Sequence, residues 1–138
     1  MKKLTQELLN EIAAAKEMGV YLDENENELI NETTQSYLTK LIEEKQLKVA
    51  DVVQKSAQGD YVYKVFQGAR KPSRDILIAI AFGMSLGLEE TQRLLRIAGV
   101  ARLDPRNRRD SVVIYAVSKN LRIEDLNDIL YDFSEATF

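Results

Sequence analysis

The chain has no cysteine and no histidine among its 138 residues. Without cysteine it cannot build a disulfide framework, a thiolate zinc site or an iron–sulfur cluster. Without histidine it cannot build a serine–histidine triad or an imidazole proton shuttle, and nearly all zinc enzymes are excluded. We therefore expect no metal and no cofactor.

Catalytic motifs and membrane signals are also missing. The sequence contains no GxGxxG, P-loop or GxSxG motif, and the adjacent acids Glu43–Glu44 and Glu89–Glu90 point to different faces of their helices. No apolar run approaches the roughly 20 residues of a membrane span. The opening MKKLTQELLNE turns acidic at Glu7, before any apolar signal-peptide region. These features predict a soluble, cytoplasmic protein that is not an enzyme.

Charge is distributed unevenly along the chain. Residues 1–46 hold five basic and ten acidic side chains, and residues 110–138 hold two and six. Residues 64–109 instead hold ten basic and four acidic side chains. A basic middle between two acidic ends suggests a polyanionic partner for the middle, although interleaved surface charge is common.

Apolar spacing is helical throughout, so we predict an all-α fold. Tyr37, Tyr61, Phe66, Phe82 and Tyr115 recur at helical spacings, which favours core positions over ligand sites. Asp104 followed by Pro105 is typical of a helix start, and the acidic stretch 21–34 is interpreted as a linker with room for one turn. The predicted helices are 3–18, 35–46, 49–56, 60–67, 74–84, 88–98, about 105–119 and about 123–133.

The two short helices at 49–56 and 60–67 have the spacing of a helix-turn-helix unit. In such a unit the second helix enters the major groove of DNA and the first crosses the backbone. Val52 and Val53 would face the core from the first helix. Val62, Val65 and Phe66 would anchor the second.

The outward residues of the second helix are the candidate base contacts. Lysine and glutamine suit base edges, tyrosine reaches phosphate or stacks, and Asp60 could accept from cytosine N4 while repelling phosphate. The same residues would also suit an ordinary solvated helix face. The predicted base contacts are Asp60, Tyr63, Lys64 and Gln67, and the predicted phosphate contacts are Lys48, Arg70, Lys71 and Arg74.

Three stretches together resemble the XRE family of lambda-repressor-like helix-turn-helix domains: LIEEKQLKVADVV, FQGARKPS and LIAIAFGMSLGLEETQRLL. Residues 100–138 are similar to a two-helix extension on some bacterial members, so the resemblance covers about three quarters of the chain. It implies a five-helix DNA-binding domain acting in transcription, often as a homodimer. The turn before the second helix is shorter than the family pattern, and Val49 stands near the place of a usual glutamine.

The resulting domain prediction has three parts: an acidic helix and linker at 1–34, a helix-turn-helix domain at 35–99 and a helical extension at 100–138. The cluster Arg106, Arg108 and Arg109 opens a predicted helix, where cations oppose the helix dipole. It could meet a phosphate backbone, the acidic N-terminal arm of the same or another chain, or Asp104 and Asp110. The alternative function is a non-catalytic protein-interaction adaptor on a degenerate helix-turn-helix fold, holding its partner through the acidic ends.

Overall fold

The computed structural model describes residues 3–26, 29 and 32–138, and every regular element in those residues is a helix. The all-α prediction is therefore confirmed. The described residues form nine helices: α1 (Thr5–Ala14), α2 (Met18–Glu24), α3 (Thr34–Glu44), α4 (Val49–Ser56), α5 (Tyr61–Phe66), α6 (Arg74–Gly83), α7 (Leu88–Ile97), α8 (Arg108–Ser118) and α9 (Ile123–Asp132).

The chain divides into two compact units, residues 1–31 and residues 32–138. In the first unit, α1 and α2 pack on each other, and Tyr21 and Asn25 are its buried residues within the described part. Lys3 Nζ donates to Asn25 Oδ1 at 2.6 Å and to Glu11 Oε1 at 2.7 Å. These contacts close a small helical hairpin.

The prediction of one helix at 3–18 was wrong, and so was the linker prediction at residues 21–24, which belong to α2. Residues 27, 28, 30 and 31 of the predicted linker, 21–34, lie outside the described residues. The chain leaves helical geometry at Ala15, where ψ is 133°, and a second helix starts at Met18. The break turns the chain back on itself, so that Tyr21 is buried and Asn25 comes within reach of Lys3. Tertiary contact outweighs the local helical preference of alanine and lysine here.

The core of the second unit is built around α6. All residues from Leu77 to Gly83 are buried, as expected for a helix that is apolar on every side. α4, α7 and α9 pack against it. Val113, Ala116, Ile123, Leu126 and Leu130 of the last two helices belong to the same core as α3–α7, so residues 100–138 share one hydrophobic core with the helices before them.

α4 and α6 come close together at Gly83. A Cβ built on Gly83 would lie 2.7 Å from the carbonyl oxygen of Val52 and 3.1 Å from the amide nitrogen of Ser56, and closer still to Ser56 Oγ. Ser56 is fully buried, and its hydroxyl donates to Val52 O at 2.6 Å. Only a glycine permits this backbone separation.

The start of α8 and the position of Tyr115 differ from the prediction. Asp104 Oδ1 accepts from Arg106 N at 2.9 Å in a turn, and the helix begins later, at Arg108, with Asn107 as its N-cap. Asn107 Oδ1 accepts from Asp110 N at 2.9 Å. Tyr115 is 52% exposed and not a core residue, because α8 buries the opposite face through Val113 and Ala116.

Among the described residues, no helix has the length and apolarity required to cross a bilayer.

We expect Gly83→Ala to lower the free energy of unfolding by about 1–3 kcal/mol, because the added methyl group overlaps Val52 O and the helices must separate. Urea unfolding followed by circular dichroism would measure it. Gly19→Ala is the matched control, since no described atom lies within 4 Å of its added Cβ, and it should cause no loss. Equal stability of the two variants would contradict the close-contact argument.

A second prediction concerns Tyr37, which is 4% exposed. Burial, reinforced by the Glu90 carboxylate, raises the pKa of its phenol above the usual 10.0. The Tyr37 phenol therefore ionises at a lower pH in the unfolded chain than in the folded one. The stability that the neutral phenol contributes is present below about pH 10 and is lost as the pH rises through the folded pKa. Wild type should lose up to about 1.4 kcal/mol per pH unit relative to Tyr37→Phe; urea unfolding at about pH 8 to 11 would test this.

Candidate nucleic-acid interface

The turn between α4 and α5 fixes the direction of α5. Ala57 and Gly59 adopt left-handed backbone conformations, with φ of 57° and 69°, which turn the chain between the two helices within four residues. Val62 and Val65 are buried at 0% and 2% exposure and belong to the same core as Val52 and Val53 of α4, on which α5 packs. One face of α5 is thereby held inward and its other face points to solvent.

The solvent face of α5 carries the predicted base contacts. Tyr63 is 38% exposed, and Asp60, Lys64 and Gln67 are also exposed. The helix is shorter than the predicted 60–67, since Asp60 is its N-cap and Gln67 its C-cap. The structure therefore places all four side chains along one short, outward-facing segment.

A contact at the end of α5, just before the loop of residues 68–73, was not predicted. Gln35 Nε2, near the start of α3, donates to Phe66 O at 3.1 Å. Gly68 has φ of 74°, and a Cβ there would collide with the Gln35 side chain. The partners are 31 residues apart, and no local pattern around Gln35 marks it, so sequence reasoning missed this anchor.

Arg70 and Lys71 extend from this loop into solvent. They line a groove with Thr33, Thr34 and Gln35, above the buried Pro72. Neither cation forms an ion pair with any residue that the structure describes. Their charge is therefore available to an external anion.

Lys48 is exposed at the N-cap of α4, about 12 Å along the helix from the turn to α5, given 1.5 Å of rise per residue. Like Lys64, it forms no ion pair with the described residues. Lys48, Lys64, Arg70 and Lys71 are thus cations without an ion partner in the described structure, and they belong to α4, α5 and the loop. Asp60 is the acidic side chain on the outward face of α5.

Arg74 departs from its predicted role as a phosphate contact. Its guanidinium donates to Asp110 Oδ2 at 2.7 Å, to Ala101 O at 2.8 Å and to Arg102 O at 3.2 Å. Asp110 is 6% exposed. Because its charge is compensated inside the fold, we leave Arg74 out of the candidate interface.

The predicted basic cluster on α8 is divided by the fold. Arg106 is 90% exposed and lies 3.9 Å from Asp104, whereas Arg108 pairs with Glu135 at 3.3 Å. Arg109 is 18% exposed and makes two bonds to Asp75, at 2.9 and 3.1 Å. Asp110 pairs with Arg74 and not with these arginines. The cluster is thus not one continuous cationic patch.

Comparisons with protein-family models, with curated proteins and with solved structures find no match to this chain. The assignment of a function consequently depends on the geometry and charge of the surface around α5.

We expect Gly68→Ala to destabilise the fold more than Gly59→Ala. Both glycines have positive φ, so each substitution costs about 1–2 kcal/mol of backbone strain. Only at Gly68 does the new methyl group also displace Gln35, which breaks a hydrogen bond worth about 1 kcal/mol. In a Gln35→Ala background the difference between the two alanine variants, measured by urea unfolding, should vanish; a persistent difference would argue against the Gln35 anchor.

Proposed function

We propose that the chain is a sequence-specific DNA-binding transcriptional regulator whose helix α5 enters the major groove. The observation that carries the proposal is the outward face of α5. Buried valines hold this helix in one orientation, and Tyr63, Lys64 and Gln67 are presented to solvent beside the unpaired cations Arg70 and Lys71. Base-edge donors flanked by free positive charge are what groove reading requires.

The contacts divide into two kinds. Lys64 and Gln67 are suited to donate to base edges, Tyr63 to stack or bind phosphate, and Asp60 to accept from cytosine N4. Lys48, Arg70 and Lys71 would bind phosphates and supply affinity through counterion release. Base contacts then provide discrimination, while phosphate contacts set register and salt dependence.

The proposed architecture is a lambda-repressor-like domain of the XRE type. In this proposal helices α3 to α7 would be its five helices, with α4 and α5 as the helix-turn-helix pair. Helices α8 and α9 would be the two-helix extension. We further propose that the protein binds as a homodimer, placing two α5 helices in successive major grooves about 34 Å apart.

A second candidate function, a protein-interaction adaptor, is favoured by the first unit. None of the residues described in α1 is buried, and apolar side chains are exposed along both of its helices. Exposed apolar side chains in such number are typical of contact surfaces. They are Leu4, Leu9, Ile12, Met18, Val20 and Leu22, between 42% and 69% exposed.

The first experiment is a selection from a random duplex library, followed by titration of the selected duplex and a scrambled duplex across salt. Lys64→Ala and Gln67→Ala should each reduce discrimination between the duplexes by about 1–3 kcal/mol. Lys71→Ala should weaken binding to both duplexes and lower the salt slope by about one.

Arg96→Ala is the matched control, because Arg96 is an exposed cation on α7 without an ion partner in the described structure. Its removal should leave discrimination unchanged. If no duplex is selected, the DNA-binding proposal fails and the adaptor function becomes the one to test. If Arg96→Ala reduces discrimination as much as Lys64→Ala, the assignment of α5 as the base-reading helix fails.

A further inference from the structure

Two ion pairs join the start of α6 to the start of α8. In one the arginine belongs to α6, and in the other it belongs to α8. Arg74 of α6 pairs with Asp110 of α8 at 2.7 Å. The next residue, Asp75, pairs with Arg109, which precedes Asp110, through bonds of 2.9 and 3.1 Å. We call these two pairs, taken together, the crossed ion pair.

Three of the four side chains in the crossed ion pair are better shielded than in a typical surface pair. The side chains of Asp110, Arg109 and Arg74 are 8%, 18% and 25% exposed, whereas that of Asp75 is 51% exposed. Asp110 Oδ2 also accepts from Asp104 N at 3.0 Å. Partial burial and two-point geometry limit screening by salt and the entropy lost in holding the side chains together.

Arg109 is held from its other side by the tail segment, residues 133–138. The Phe138 ring lies 4.2 Å from the guanidinium carbon, and Arg109 Nε donates to Ala136 O at 2.8 Å. Phe138 is itself fastened to α9, because its amide donates to Asn127 Oδ1 at 2.8 Å and its carbonyl accepts from Asn127 Nδ2 at 3.1 Å. The extension thus determines where Arg109 sits.

The crossed ion pair lies at the end of the loop that carries the candidate phosphate contacts. Lys71 precedes Arg74 by three residues, so their Cα atoms are at most about 11 Å apart. The other end of the loop is fixed by the Gln35 bond to Phe66 O. Arg70 and Lys71 are therefore carried by a short segment anchored at both ends.

We propose that Arg109 is a positioning residue for DNA binding. Through Asp75 it holds the start of α6, and with it the loop 68–73, so that Arg70 and Lys71 stay in register with α5. The extension α8–α9 and its tail segment then contribute to DNA binding, because they hold Arg109 in place. This inference rests on the proposed function.

Asp75→Asn separates a positioning role of Arg109 from direct phosphate binding, because the two roles predict opposite signs. If Arg109 positions the loop, the variant should bind the selected duplex about fivefold more weakly, the upper end of what a surface ion pair contributes. If Arg109 binds phosphate, its release from Asp75 should strengthen binding and steepen the salt dependence. Tighter binding would overturn the proposal.

Asp128→Asn is the matched control, since it removes an exposed carboxylate of α9 that has no ion partner among the described residues. The affinity of this control variant for the selected duplex should not fall. The charge-swapped variant Asp75→Arg/Arg109→Asp should recover part of the lost affinity, and Phe138→Ala, which leaves both ion pairs in place, should cause a smaller loss than Asp75→Asn. A charge-swapped variant that binds the duplex more weakly than both Asp75→Arg and Arg109→Asp would contradict the pairing of residues 75 and 109.

Amide hydrogen exchange tests the positioning without DNA. Residues 68–73 should exchange faster in Asp75→Asn than in wild type, with α9 unchanged, and should slow again in the charge-swapped variant. Unchanged exchange in this loop would overturn the inference even if wild type binds DNA. Faster exchange in a protein that binds no duplex would support the positioning of the loop by Arg109 and overturn the proposed function, so the two failures are distinguishable.

Discussion

The close crossing of α4 and α6 at Gly83 is the constraint on which the second unit depends. α6 is apolar on every side and must be covered on every side. α4 covers one side at a backbone separation that only glycine allows, and the buried Ser56 hydroxyl is satisfied within its own helix, by Val52 O. With α4 fixed in this way, the turn at Ala57 and Gly59 sets the direction of α5, and the outward face of α5 follows from the inward face of its valines.

Charge in this unit has two uses that composition does not separate. Some cations form ion pairs within the unit: Arg74 and Arg109 join α6 to α8, and Arg93 pairs with Glu32. The Glu32 hydrogen bond holds the pKa of the Arg93 guanidinium above its usual value. Others, such as Lys64, Arg70 and Lys71, have no such partner within the described structure. The cations of the proposed interface all come from this second group.

Much of the candidate site was predictable, because it lies within one short stretch of chain. The spacing of Val52, Val53, Val62 and Val65 predicted which faces of α4 and α5 are buried, and local helix geometry then placed Lys64 and Gln67 outward. The hairpin of the first unit was not predictable in this way. Its break at Ala15 has no proline or glycine to mark it and depends on contacts of Lys3, Tyr21 and Asn25.

The sequence by itself determined the helical class, most helix positions and the inward faces, since these depend on apolar spacing at a period of 3.6 residues and on caps within a few residues. Only the tertiary structure decided which charges are free. Arg74 and Asp110 lie 36 residues apart, Arg109 and Asp75 34, and Gln35 and Phe66 31. An arginine bound to a distant carboxylate and one left to solvent look alike in sequence, because side-chain pairing is set by how the helices pack and not by their local propensity.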